Sequence, residues 1–251
     1  MSHNMKSNMN HYQCWYRPVC KNVDTVHCTD VCVSFYEMLH LLEQSGIPQN
    51  LFNKIDLVPD NSDIEAFKQL KYIKDNIHDF IKQGNSLYLW SHGTGNGKTS
   101  WSIKLLQSYF HAIHFGNGLK PRGFFIHTPS YLLDCKNRFS DKSGSDYRML
   151  QVTDDFGKDL LTTTNILNVD VIVWDEIGSD RFTPYDYINL LSVIDQRCLR
   201  GKSNIFTSNY SIDELQEIIG DKIASRLNKN TSYIELTGSD RRGGFVPYVN
   251  G

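Results

Sequence analysis

Residues 93–100, Gly93-Thr94-Gly95-Asn96-Gly97-Lys98-Thr99-Ser100, set three glycines and one lysine among three hydroxyl side chains. Glycines let backbone N–H groups turn inward around a phosphate with no Cβ in the way. Lys98 is placed to reach the β- and γ-phosphates of a nucleotide, and the Thr99 hydroxyl to ligate Mg²⁺. The phosphate-loop pattern G-x-x-x-x-G-K-[ST] is met at Gly97-Lys98-Thr99 but not at its first position. His92 stands there, and Gly93 follows one place late. The first glycine opens such a loop rather than gripping phosphate, so His92 is expected to be tolerated.

A second constellation lies in "VDVIVWDEIGSD". Val171, Ile172, Val173 and Trp174 read as a buried strand ending in Asp175 and Glu176. Two carboxylates at the tip of such a strand are costly unless they have ligands or partners. Asp175 suits the Mg²⁺ shell, and Glu176 suits the orientation or deprotonation of an attacking water. Further on, "NIFTSNY" is another apolar strand whose Asn209 could hydrogen-bond that water or the γ-phosphate. An Asn after a strand is also an ordinary turn former. Arg226 sits in "DKIASRL", on a helix where it could face a neighbouring subunit.

These residues need a scaffold, and the texture of the chain supplies one. From Ser86 onward, short apolar runs alternate with helical patterns. "SLYLW", "RGFFIHT", "VDVIVWDE", "SNIFTSN" and "SYIELTG" read as strands. "KTSWSIKLLQSYFHAI", a segment from about Pro129 to Phe139, "TPYDYINLLSVIDQRCL" and "SIDELQEIIGDKIASRL" read as helices. Near-continuous apolar strands alternating with helices predict an α/β fold, a parallel sheet covered on both faces. The phosphate loop then falls between a strand and a helix, which is the context that confirms the motif. Upstream, "IEAFKQLKYIKDNIHDFIKQG" is an amphipathic helix with Ile64, Phe67, Leu70, Ile73, Ile77 and Ile81 at steps of three and four. "VSFYEMLHLLEQSG" is helical as well, with Gly46 as its stop, and residues 1 to about 12 read as disordered.

Composition excludes several classes. The chain of 251 residues is 40% hydrophobic and 22% charged, ordinary values for a globular protein with a full core. A formal net charge of −2 gives no global basic field, so any DNA contact must come from a local patch. No apolar run approaches a membrane span and no signal peptide is apparent, which predicts a cytoplasmic protein without membrane contact.

Four of the six cysteines, Cys14, Cys20, Cys28 and Cys32, crowd the N-terminal region. Four thiolates are the number a closed tetrahedral Zn²⁺ site takes, and a reducing compartment favours metal over disulfide. The spacing lacks paired C-x-x-C knuckles; His27 or His11 could replace a ligand, and four free thiols are the alternative. The organisation expected is a Cys-rich zinc module at 1–45, a linker and lead-in helix at 46–84, and the α/β domain at 85–251. Tyr131, Lys136 and Arg138 interleave aromatic and basic groups in a way that can track single-stranded DNA. A solvated helix face shows the same interleaving.

In order, the phosphate loop, "VDVIVWDEIGSD", "IFTSNYSIDEL", "KIASRL" and a terminal "GSDRR" resemble the bacterial and phage helicase-loader family, AAA+ ATPases of the DnaC and DnaI type. "SGIPQNLF" resembles the segment leading into the ATPase core of that family, and the match covers about residues 46 to 242. The resemblance implies ATP hydrolysis with Lys98 and Thr99 as the Walker A pair, Asp175 and Glu176 as the Walker B pair, and Asn209 as sensor 1. It implies Arg226 as an arginine finger acting on an adjacent subunit in an ATP-dependent oligomer. It also implies single-stranded DNA and a ring-shaped DnaB-type replicative helicase as partners, the latter gripped by the N-terminal module, which is zinc-binding in some loaders. Two departures stand out: His92, and the lack of a sizeable helical lid, which leaves sensor 2 to Arg241 or Arg242. Alternatives are an IstB-type transposition helper, and a nucleotide-dependent binder of the helicase without turnover.

Overall fold

The computed structural model describes residues 17, 20, 22–28, 32–52, 57, 61–114, 120–140, 150, 152–154, 156–179, 182–227 and 230–240. Five strands, β1 (Ser86–Trp90), β2 (Gly123–His127), β3 (Val171–Asp175), β4 (Ser203–Ser208) and β5 (Thr231–Glu235), form one sheet in the order β2-β3-β4-β1-β5. Every pairing is parallel. The three inner strands are buried along nearly their whole length, whereas the edge strand β5 is mostly exposed. That contrast explains why the inner strands read as continuous apolar runs.

The two-residue period of the strands divides the core. Leu87, Leu89, Val171, Val173 and Ile205 face one side, where α1 (Val33–Glu43), α2 (Ile64–Asp75), α3 (Ile77–Lys82) and α4 (Lys98–Ile113) pack. Tyr88, Ile172, Trp174 and Phe206 face the other, against α5 (Thr128–Ser140), α6 (Thr163–Asn168), α7 (Pro184–Leu199), α8 (Ile212–Ile219) and α9 (Asp221–Leu227). The α/β expectation therefore holds. Met38, Leu41 and Leu42 of α1 belong to the same cluster as α4 and the sheet.

The structure departs from the sequence reading in three places. The helix expected across residues 64–84 breaks at Asn76, and the one across 211–227 breaks at Gly220, whose φ of 82° is left-handed. The six-residue α6, capped by the Thr162 hydroxyl, was not foreseen. No helix among the described residues is long and apolar enough to cross a membrane.

Two charged groups lock the layers together. Arg197 of α7 is fully buried and donates to the carbonyls of Ile166, Val169 and Ser203 and to Asn204 Oδ1. Burial pushes its pKa down to about 9. Asp170, ahead of β3, accepts from the Tyr109 hydroxyl at 2.8 Å, Arg122 Nε at 2.5 Å and Lys202 Nζ at 3.0 Å. Burial would raise its pKa, but these three partners together hold it below the usual carboxylate range. A carboxylate depressed in the folded state stabilises at neutral pH, and that contribution fades as acid protonates it. Asp170→Asn is expected to lower stability by about 1–3 kcal/mol at pH 7. Urea unfolding at pH 7 and pH 2.5 checks this, because the deficit should shrink as the pH falls below the ordinary carboxylate value of 3.8 and through the depressed folded-state value.

Candidate functional site

The carboxyl ends of β1, β3 and β4 open into a cavity of about 320 Å³ lined by Thr94, Gly95, Asn96, Gly97, Lys98, Thr99 and Ser100, with Glu176, Thr207, Ser208, Asn209 and Leu57 opposite. In open α/β sheets, ligands bind at this edge. The loop after β1 supplies its floor. Gly95 and Gly97 have φ of 73° and 101°, so a side chain at either position would be strained. His92 needs no such conformation and is not among the positive-φ residues. Its side chain leaves the loop altogether: Nε2 lies 2.9 and 3.0 Å from the two oxygens of Glu214 in α8.

Gly97 caps the sixteen-residue α4, whose positive end faces the cavity. Lys98 is only 9% exposed, and its ammonium donates to the Gly93 carbonyl at 2.7 Å and to the Ser91 carbonyl and Asn96 Oδ1 at 3.3 Å. The cation is thereby centred over the loop. The Asn96 amide in turn donates to Ser91 Oγ and to the Leu236 carbonyl, joining the loop to the chain beyond β5.

The Thr99 hydroxyl donates to Asp175, 3.0 Å from one carboxylate oxygen and 3.3 Å from the other. Burial pushes the Asp175 carboxyl upward, with Thr207 and Thr99 opposing it as hydrogen-bond donors. A hydroxyl and a carboxylate side by side are hard oxygen donors, a set that fits Mg²⁺ completed by phosphate oxygens and water. A divalent cation there would favour the ionised carboxylate.

Glu176 follows the strand with φ of 60°, unusual for a residue with a side chain and costing about 1–3 kcal/mol. Thr207 of β4 supports it. Its hydroxyl accepts from the Glu176 backbone N–H at 2.9 Å and donates to Asp175 at 2.6 Å. The Glu176 carboxylate lies 3.2 Å from His127 Nε2 at the end of β2, and His127 Nδ1 is 2.7 Å from the Ser130 hydroxyl. An ionised carboxylate only accepts, so Nε2 donates to Glu176, and in the neutral ring Nδ1 then accepts from Ser130. Sequence reading passed over His127 and Thr207. Both end or nearly end a strand, and only the register that sets His127 beside Asp175 reveals them.

The structure thus brings together the loop residues, Lys98, Thr99, Asp175, Glu176 and Asn209. Arg226 does not line the cavity; it lies on α9, paired with Asp195 of α7. Tyr131 packs edge-on against Trp174, with ring centres 5.6 Å apart. Lys136 forms a 2.8 Å ion pair with buried Asp186, and the Arg138 side chain lies outside the described residues. Among the described residues, no three His, Cys, Asp or Glu side chains gather as a metal site. Cys20, Cys28 and Cys32 as placed do not make the expected zinc ligand set, and Cys14, Arg241 and Arg242 lie outside the described residues.

The architecture has solved counterparts. It is similar to the DnaC helicase loader, with a TM-score of 0.56 and 19% identity, covering 75% of this chain and 99% of that one. This is the AAA+ P-loop fold. The AAA+ likeness extends to DnaI, with a TM-score of 0.56 and 16% identity over 78% of this chain and 94% of DnaI. It extends also to the replication initiator DnaA bound to AMPPCP and single-stranded DNA, with a TM-score of 0.50 and 14% identity over 74% of this chain and 49% of DnaA. No family model and no curated protein sequence matches the chain. At these identities the likeness establishes the AAA+ fold, and the site geometry must carry the chemistry.

Proposed function

We propose that this protein is an ATPase that loads a ring-shaped, DnaB-type replicative helicase onto single-stranded DNA. The observation that carries the ATPase part is the convergence of Lys98, Thr99 and Glu176 on one cavity, with Asp175 hydrogen-bonded to Thr99 at its edge. The loader part rests on the likeness to DnaC over nearly all of that chain.

The loop amides and the α4 N-terminus bind the β-phosphate, and Lys98 spans the β- and γ-phosphates. Mg²⁺ held by Thr99 and Asp175 would neutralise charge on the phosphate oxygens. Glu176 takes the proton of the attacking water, and its unusual backbone conformation aims the carboxylate there. His127 holds that carboxylate from the far side, and Asn209 bonds the water or the γ-phosphate. Arg226 exchanges Asp195 for the γ-phosphate of a neighbouring subunit, which makes turnover depend on self-association. Single-stranded DNA runs along the α5 side, where Lys136 is 37% exposed.

Retention of a purified hexameric DnaB-type helicase on the immobilised protein tests the loader reading. We expect retention with ATP that weakens with ADP. Absence of retention with either nucleotide would overturn loading while leaving the ATPase reading intact.

A further inference from the structure

His92 occupies the position where the loop pattern has glycine, and its contacts give it a role of its own. The residue lies two places beyond β1, its ring edge-on to Trp90 with centres 5.1 Å apart. Nε2–H donates to Glu214, 122 residues away in sequence. Glu214 is held in turn: its carboxylate accepts from the Ser211 N–H at 2.8 Å, and the Ser211 hydroxyl caps α8. Strands β1 and β4 are neighbours, with Trp90 opposite Ser208. The His92–Glu214 bond therefore clamps the exits of two adjacent strands. One exit becomes the phosphate loop; the other becomes the turn that carries Asn209. Those two segments form facing walls of the cavity.

We propose that His92 is a positioning residue that ties the phosphate loop to the Asn209 turn through Glu214 and so sets the γ-phosphate end of the cavity. The proposal rests on the ATPase reading. The β-phosphate end does not depend on this tie, because it is built by the loop amides at Gly95–Thr99 and by Lys98. Removing His92 should then leave ADP contacts intact and loosen the wall that faces a third phosphate. Both side chains are substantially exposed, at 61% and 46%, so solvent screens the pair and limits the effect.

Calorimetric titration of the full chain with Mg·ADP and Mg·AMPPCP reads the two ends separately. His92→Ala and Glu214→Ala should each keep the wild-type ADP affinity within about twofold and weaken AMPPCP by about fivefold, the scale of an exposed polar pair. Combining them should add little. His92→Gln, which can still donate to Glu214, should recover most of the loss. A purely structural role would shift both nucleotides together, and no role would shift neither; either result overturns the proposal, as does failure of His92→Gln to rescue. Wild-type protein that binds neither nucleotide would instead defeat the ATPase reading itself. Thermal melting of each variant, expected near wild type, guards against a folding defect.

Discussion

Glu176→Gln should cut ATP turnover by at least about 100-fold, the range of a lost general base. Affinity for Mg·ATP should stay within a few-fold of wild type. The two parts of this expectation come from different contacts. Thr207 holds the Glu176 position through the backbone N–H and not through the carboxylate. The amide variant therefore keeps the left-handed turn and its place in the cavity, and loses only the capacity to take a proton. The His127 contact survives too, because the amide oxygen still accepts from Nε2–H. Single-turnover phosphate release beside equilibrium binding of a fluorescent ATP analogue separates the terms. A parallel fall in binding would mean that Glu176 serves structure or metal binding.

Lys98→Ala should weaken nucleotide binding by roughly 30-fold or more, since charge-assisted hydrogen bonds contribute about 2–3 kcal/mol each. The fold should survive. The ammonium's hydrogen-bond acceptors named above, the Gly93 and Ser91 carbonyls and Asn96, all lie in or beside the loop, so the substitution strips the loop without touching the sheet. Calorimetry with Mg·ADP and Mg·ATP, alongside thermal melting, reads both. Unchanged affinity would show that the loop amides alone hold the nucleotide and that the cation belongs to the loop's own architecture.

The parts of this molecule that follow a local period were legible in the sequence. Strands β1, β3 and β4 are buried on both faces and read as apolar runs; the loop residues and Asp175-Glu176 lie at the ends of such runs. What escaped depends on contacts between segments far apart. Thr207 meets Asp175 across two strands, and His127 meets Glu176 across another pair. Arg197 lies in a segment read only as a helix, and its burial depends on three carbonyls from two other segments that converge on it. The breaks at Asn76 and Gly220 escaped because apolar spacing continues through both, while the turn is set by packing on each side. His92 stood out as the departure from the loop pattern, but its partner Glu214 was invisible, lying 122 residues away in α8.

The central claim is hydrolysis of ATP at this cavity. Steady-state phosphate release from Mg·ATP by the purified wild-type chain, with single-stranded DNA present and Glu176→Gln beside it, tests that claim most directly. The predicted result is release that saturates with ATP, requires Mg²⁺ and rises with protein concentration as subunits associate. Wild-type release no faster than that of Glu176→Gln at any protein or ATP concentration would contradict it.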